Sequence, residues 1–288
     1  MENNIHFANI GNLSRELKNK TISPVELVEH MLSRIESVDQ RLNSYATVCA
    51  DKAIKEARQA EREILAGNYR GRLHGVPLSV KDLFYTRGIR TMGGLKVRKN
   101  FIPTFDSTVV KKLGLAGAVL LGKSVSTEGA LSGYNPEFVI PKNPWGSELW
   151  AGVSSSGSGV SVSAGLCFGS IGTDTGGSIR YPSMANGVVG LKPTYGSVSR
   201  HGVMDLARTL DHVGPLARSV EDVAILFDAI VGRDGLDPTS LSQEIAPISN
   251  SLRMNVENIA LGVDSNYIES GTDRGLLSAI EEVIETFK

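Results

Sequence analysis

The stretch from Gly152 to Ser183 constrains this chain more than any other: it reads GVSSSGSGVSVSAGLCFGSIGTDTGGSIRYPS. A helix made of Gly, Ser, Ala and Val has thin sides, so other backbone can approach it closely. The serines at 154–156 are placed to cap the start of such a helix. In the second half, Thr173-Asp174-Thr175-Gly176-Gly177-Ser178-Ile179-Arg180, a strand runs into a loop with two glycines and then a serine. A loop of that kind frees consecutive N–H groups, as a nucleophile that generates an acyl oxyanion requires. Taken alone, the first half also reads as an ordinary tight helix and the second as an ordinary glycine turn.

The pattern around this stretch indicates an α/β fold. Ser23-Pro24-Val25-Glu26 is a cap, a first-turn proline and a capping-box acid, and Val25, Val28, Met31, Leu32 and Ile35 follow as a stripe at helical spacing. A second helix is expected from about Asp51 to Ala66, stopped by Gly67. Residues 1–70 therefore read as a helical segment. From residue 75 strands and helices alternate, giving a core over 71–232. Its strands are expected at Gly75–Lys81, Ala118–Leu121, Phe168–Thr173 and near Val188–Leu191, with a helix after Asp106. A further helix has Ser219 as cap with Asp222 three residues on, and runs from there to Val231 before Gly232. Residues 233–256 are polar and irregular. A strand at Ile259–Val263 and a helix from about Asp273 complete the reading, so 233–288 is linker, strand and helix.

Composition excludes several classes. The chain has 288 residues, 41% of them hydrophobic and 21% charged, with a formal net charge of −1. A nucleic-acid or membrane partner usually leaves a basic surplus, and none exists here. The first twenty residues contain no apolar run after a basic stretch, so no signal peptide is expected. No segment approaches the roughly 18 apolar residues of a membrane helix. Cys49 and Cys167 lie far apart without a CxxC, which suits a reducing, cytoplasmic setting and argues against zinc.

Two motifs mislead. Gly117-Ala118-Val119-Leu120-Leu121-Gly122-Lys123-Ser124 matches the phosphate-loop pattern GxxxxGK[ST] at every position. Its four variable residues are apolar and read as the strand itself, so their N–H groups belong to a sheet ladder. The histidines His6, His30, His74, His201 and His212 show no metal-binding spacing, and no GxSxG elbow accompanies them. Each reads as a surface or satisfied residue.

Taken together, Gly75-Val76-Pro77-Leu78-Ser79-Val80-Lys81-Asp82, the serine-glycine run from Ser154, and Gly172–Arg180 resemble the amidase signature family. The similarity continues through VVGLKPTYGSVSRHGV and LDHVGPLARSVED, and reaches back to TISPVELVEHMLSRIE, so it covers essentially the whole chain. The resemblance implies a mixed central sheet with helices on both faces, in one amidase signature domain over 1–288 that stops short at its C-terminal end. It implies a Ser-cisSer-Lys triad of Lys81, Ser154 and Ser178, with backbone N–H groups of Thr175, Gly176, Gly177 and Ser178 as the oxyanion hole. Ser155, Thr173, Asp174 and Arg180 are the supporting residues, the last two pairing across the turn. A lysine acts as base only when neutral, and the apolar strand around Lys81 suits that role.

The implied reaction is hydrolysis of a carboxylic amide without metal or organic cofactor. The expected partner is a small-molecule amide, with a homodimer as the assembly left open. Two features depart from the family pattern. Val153 stands before Ser154 where many members have glycine, and the chain is shorter than its family. The shortness leads to the expectation that sheet edges and apolar faces stay uncovered, with poor solubility or weak activity. Two further readings stand beside the free amidase. One is the A subunit of a tRNA-dependent amidotransferase, a glutaminase that passes ammonia to a partner; such proteins usually carry glutamine where this chain has Tyr181. The other is an inactive family remnant.

Overall fold

A computed structural model describes residues 4–252 and 259–288. One compact unit ends at Leu252 and a second holds the residues after it. The first unit begins with α1 (Ile10–Lys18) and α2 (Pro24–Leu42). Ser23 starts α2 by accepting hydrogen bonds from the Val25 and Glu26 N–H groups, with Pro24 in the first turn. Val28, Met31 and Ile35 are buried along the expected stripe, with Leu27 beside them, and Val25 and Leu32 pack against that core. The second helix, α3 (Ala50–Leu65), ends just before Gly67, whose φ of +85° suits glycine.

Between these helices lies an element that local pattern did not announce, β1 (Tyr45–Val48), so the first 70 residues are not wholly helical. Four residues of Tyr-Ala-Thr-Val are too few to display a period. What makes them a strand is antiparallel pairing with β3 (Val119–Ser124), nearly eighty residues away in the chain. The remaining strands are β2 (Pro77–Lys81), β4 (Gly169–Asp174), β5 (Val189–Gly190) and β6 (His212–Ala217). They form one six-stranded mixed sheet in the order β1-β3-β2-β4-β6-β5. The central β3, β2 and β4 run parallel, while β1, β6 and β5 join antiparallel.

Helices cover both faces. On one, Leu78 and Val80 of β2 line a cavity with Val110 and Leu113 of α4 (Thr108–Leu115). On the same side Leu226 of α7 (Val220–Ile230) reaches Gly169 of β4. Ser79 and Lys81 point the other way, towards α5 (Ser156–Ser163) and the loop before it. In α5 the thin sides are used as expected. A Cβ on Gly157 would lie 2.3 Å from the Ser44 carbonyl oxygen and 2.5 Å from the Val125 nitrogen, and one on Gly159 would lie 2.8 Å from the Pro182 carbonyl oxygen. The serine cap expected for this helix is absent, because the N-cap residue Ser155 turns its hydroxyl to Thr173 of β4 instead.

The phosphate-loop match dissolves into the sheet. Residues 119–124 are β3, all buried, and Lys123 Nζ donates to the Phe84 carbonyl (2.6 Å) and to Thr91 Oγ1 (2.8 Å), with Asp82 Oδ1 3.5 Å away. A lysine so occupied in the core has no reach towards a nucleotide. Among the histidines, His6 and His30 stack with centroids 5.6 Å apart, and buried His74 faces Glu63 at 3.1 Å. Helix α7 starts as expected, with Ser219 Oγ accepting from the Asp222 N–H. The Asp222 carboxylate then accepts from the Ile10 N–H at 2.8 Å, tying α7 to α1.

Residues 233–252 are irregular apart from a short 3-10 turn at Ile248–Asn250; residues 253–256 of the same expected stretch lie outside the described residues. In the second unit, Ile259–Val263 forms no strand: these residues have no sheet partner among the described residues and are exposed. Apolar composition alone does not make a strand, which needs a ladder partner. Helices α8 (Ser265–Glu269) and α9 (Arg274–Thr286) follow, α9 capped by the Asp273 carboxylate.

Candidate active site

The parallel centre of the sheet brings together the ends of β2 and β4. Lys81 closes β2 and is fully buried. Its Nζ lies 2.7 Å from Ser154 Oγ and 2.8 Å from Thr173 Oγ1, both within hydrogen-bond reach. Burial drives the Lys81 pKa down from 10.5 to about 7, against the opposing pull of the Asp174 and Asp211 charges. An ammonium is poorly solvated in this setting, so near neutrality a large share of Lys81 is the free amine.

Ser154 precedes α5, follows a cis Val153–Ser154 peptide bond, and accepts at its carbonyl from the Thr127 N–H (3.3 Å). Ser155 joins the two serine segments: its N–H donates to the Ser178 carbonyl (3.2 Å), and its hydroxyl donates to the Thr173 carbonyl (3.2 Å). A Cβ on Gly172 would meet Ser155 Oγ at 2.9 Å, so glycine there gives this clasp its room.

The loop after β4 wraps around the Asp174 carboxylate. That group accepts from the N–H groups of Gly177 (2.8 Å), Ile179 (3.1 Å) and Arg180 (3.3 Å), and pairs bidentately with the Arg180 guanidinium at 3.0 and 2.9 Å. Burial alone would push this carboxyl up. The Arg180 pair and the N–H donors outweigh it and hold the pKa down to about 2. Asp174 thus stays ionised, and the loop carries a fixed negative centre that orders its own backbone.

One member of the expected oxyanion set needs correcting. The Gly177 N–H is already engaged by Asp174 Oδ1, so it points inwards. Among the described residues the N–H groups of Thr175, Gly176 and Ser178 have no protein acceptor. Glycine remains necessary at 177 for another reason: φ is +132°, and a Cβ would lie 2.2 Å from the Tyr181 ring. Ser178 is half-buried, and its hydroxyl makes no hydrogen bond among the described residues. Lys81, Ser154 and Thr173 are therefore in direct contact, whereas Ser178 is held beside them through its backbone carbonyl.

Two participants escaped sequence reasoning. Asp211 Oδ1 accepts from Thr175 Oγ1 (2.6 Å), and its carboxylate also accepts from the Leu206 and Ala207 N–H groups. It pins the residue that offers the first free N–H of the loop. The other is Thr127, which holds the Ser154 carbonyl. Asp211 would have been found from the antiparallel register of β4 and β6, in which Asp174 faces His212 and Thr175 therefore faces Asp211.

The amidase sequence profile matches residues 26–288. The chain belongs to the amidase family. Within it, the chain is 45% identical over 270 residues to a Mycobacterium tuberculosis protein named "Putative amidase AmiD", covering 94% of this chain and 56% of that one. It is 42% identical over 281 residues to the A subunit of the glutamyl-tRNA(Gln) amidotransferase from Geobacter metallireducens, covering 97% of this chain and 58% of that one. Native peptide amidase from Stenotrophomonas maltophilia superimposes with a TM-score of 0.82 at 36% identity, covering 86% of this amidase-family chain and 53% of that chain. The chain thus spans a little over half the length of the curated relatives it matches.

Proposed function

We propose that this chain carries the catalytic residues of an amide hydrolase that works through an acyl-enzyme on Ser178. The observation that carries the reading is the buried Lys81 amine 2.7 Å from Ser154 Oγ, with its pKa brought down to about 7. Neutral Lys81 takes the Ser154 proton while Ser154 takes that of Ser178, whose oxygen attacks the amide carbonyl. The N–H groups of Thr175, Gly176 and Ser178 receive the oxyanion, and Asp174, Arg180 and Asp211 hold them in place. The proton returns through Ser154 to the leaving nitrogen, the C–N bond breaks, and water attacks the ester along the same relay to release the acid. The substrate is a small-molecule amide, and every step uses only this chain's own groups and water. The two cysteines are free and buried, which supports a cytoplasmic site of action.

The second reading, a glutaminase component of an amidotransferase, is supported by the 42% identity to such a protein. Tyr181 in place of glutamine favours the free amidase. Ammonia release from simple carboxylic amides and from glutamine separates the two. The free amidase is expected to hydrolyse simple amides without a partner protein. Turnover confined to glutamine would reverse the choice, and no turnover of either would refute the hydrolase.

A further inference from the structure

Beside the Ser178 loop the surface carries large apolar side chains for which the triad has no use. Trp150 is 52% exposed, Tyr181 47% and Met184 62%. The backbone that bears them is fixed. Buried Asn143 donates from Nδ2 to the carbonyls of Trp150 (2.9 Å) and Ala185 (2.7 Å). Its Oδ1 accepts from the Trp145 N–H (2.9 Å). Buried Asn186 donates to the carbonyls of Ala151 and Pro182, both at 2.8 Å. These two amides lock residues 143–151 onto α6 (Arg180–Ala185), the short helix that follows Ser178.

On this support the Trp150 and Tyr181 rings are neighbours, with centroids 6.0 Å apart and planes tilted by 50°. Met184 lies three residues after Tyr181 and shares its side of α6. At its inner edge the Tyr181 ring rests on Gly177, directly before the nucleophile. Trp150 sits in the short connection leading to Ser154. Exposed aromatic groups on a preorganised backbone cost hydrophobic free energy that a bound apolar group would recover. Trp150 stands four residues before Ser154 and Tyr181 three after Ser178, so the apolar group adjoins both serine segments.

We propose that Trp150, Tyr181 and Met184 form an apolar shelf that selects amides bearing an aromatic or branched aliphatic group over small or polar ones. The proposal rests on amide hydrolysis at Ser178 and adds the substrate class. A glutamine side chain gains nothing from such a shelf, whereas a benzyl group stacks on it.

The test measures kcat/KM for acetamide, phenylacetamide and N-benzylacetamide in the unaltered protein and in Trp150→Ala and Tyr181→Ala. The quantity read is the ratio of each benzyl amide to acetamide, which cancels any general loss of active protein. The expected ratio exceeds about ten for at least one benzyl amide and falls about tenfold in each variant. Which benzyl amide shows the effect tells whether the shelf lies on the acyl or the amine side. A ratio near one in the unaltered protein, or one that neither variant changes, would overturn the shelf while leaving the hydrolase intact. Failure to hydrolyse any of the three, with Ser178 unlabelled by a small fluorophosphonate, would remove the hydrolase reading and the shelf with it.

Discussion

Replacing Ser178 by alanine is expected to lower kcat/KM for amide hydrolysis by at least about a thousandfold, because the proposed mechanism then has no nucleophile. The change removes one half-buried hydroxyl that makes no hydrogen bond among the described residues. Both anchors of the loop, Asp174 with its N–H donors and Ser155 with the Ser178 carbonyl, involve backbone or other side chains and survive. The variant should therefore unfold within a few degrees of the unaltered protein, and stability measured by thermal denaturation separates a lost nucleophile from a lost fold. A Ser178→Ala protein that keeps a tenth of the activity would place the nucleophile elsewhere.

The second large effect concerns Lys81. Burial brings its pKa to about 7, and only the free amine can accept the Ser154 proton. Activity should accordingly rise with pH through a single ionisation near 7 and then level. Lys81→Arg should lose about a thousandfold or more, because a guanidinium stays protonated throughout this range. A fully active arginine variant, or a rate that falls as pH rises through 7, would remove Lys81 from the base role. The same depression has a consequence for stability. Between about 7 and the ordinary 10.5 the unfolded chain holds a proton on Lys81 that the folded chain lacks. This group's contribution to folding stability therefore grows as pH rises across that window and is lost as pH falls through 7.

Much of the fold was legible because the signals were local. Ser23-Pro24, Ser219 and Asp273 announce helix starts through cap chemistry that depends on neighbours in sequence. The apolar run 119–121 announces a buried strand and overrides a complete phosphate-loop match. What escaped depends on partners distant in sequence. Strand β1 is defined by its ladder to β3, and β6 was hidden by Gly214-Pro215, a pair that normally argues against a strand. Here the Pro215 carbonyl still accepts from the Leu191 N–H, so the sheet tolerates the missing donor. Missing β6 meant missing Asp211, because its place opposite Thr175 follows only from the register.

The site shows the same division. The family resemblance implied Lys81 and Ser154 as neighbours, and they lie 2.7 Å apart; the flanking positions of Asp174 and Arg180 implied their pair, which forms at 2.9 Å. The Gly177 N–H was misassigned because sequence shows that a loop frees donors and is silent on which of them its own carboxylate recaptures. The role of Ser155 as a clasp was equally hidden: three adjacent serines are alike on paper, yet 154 meets Lys81 and 155 meets β4.

The most direct test of the central claim is to trap the acyl-enzyme. The protein is incubated with a serine-directed phosphonate or a slowly deacylated ester, digested, and analysed by mass spectrometry. The adduct is expected on the peptide containing Ser178, on that serine, and should be absent from Ser178→Ala. An adduct on Ser154 alone would contradict the account.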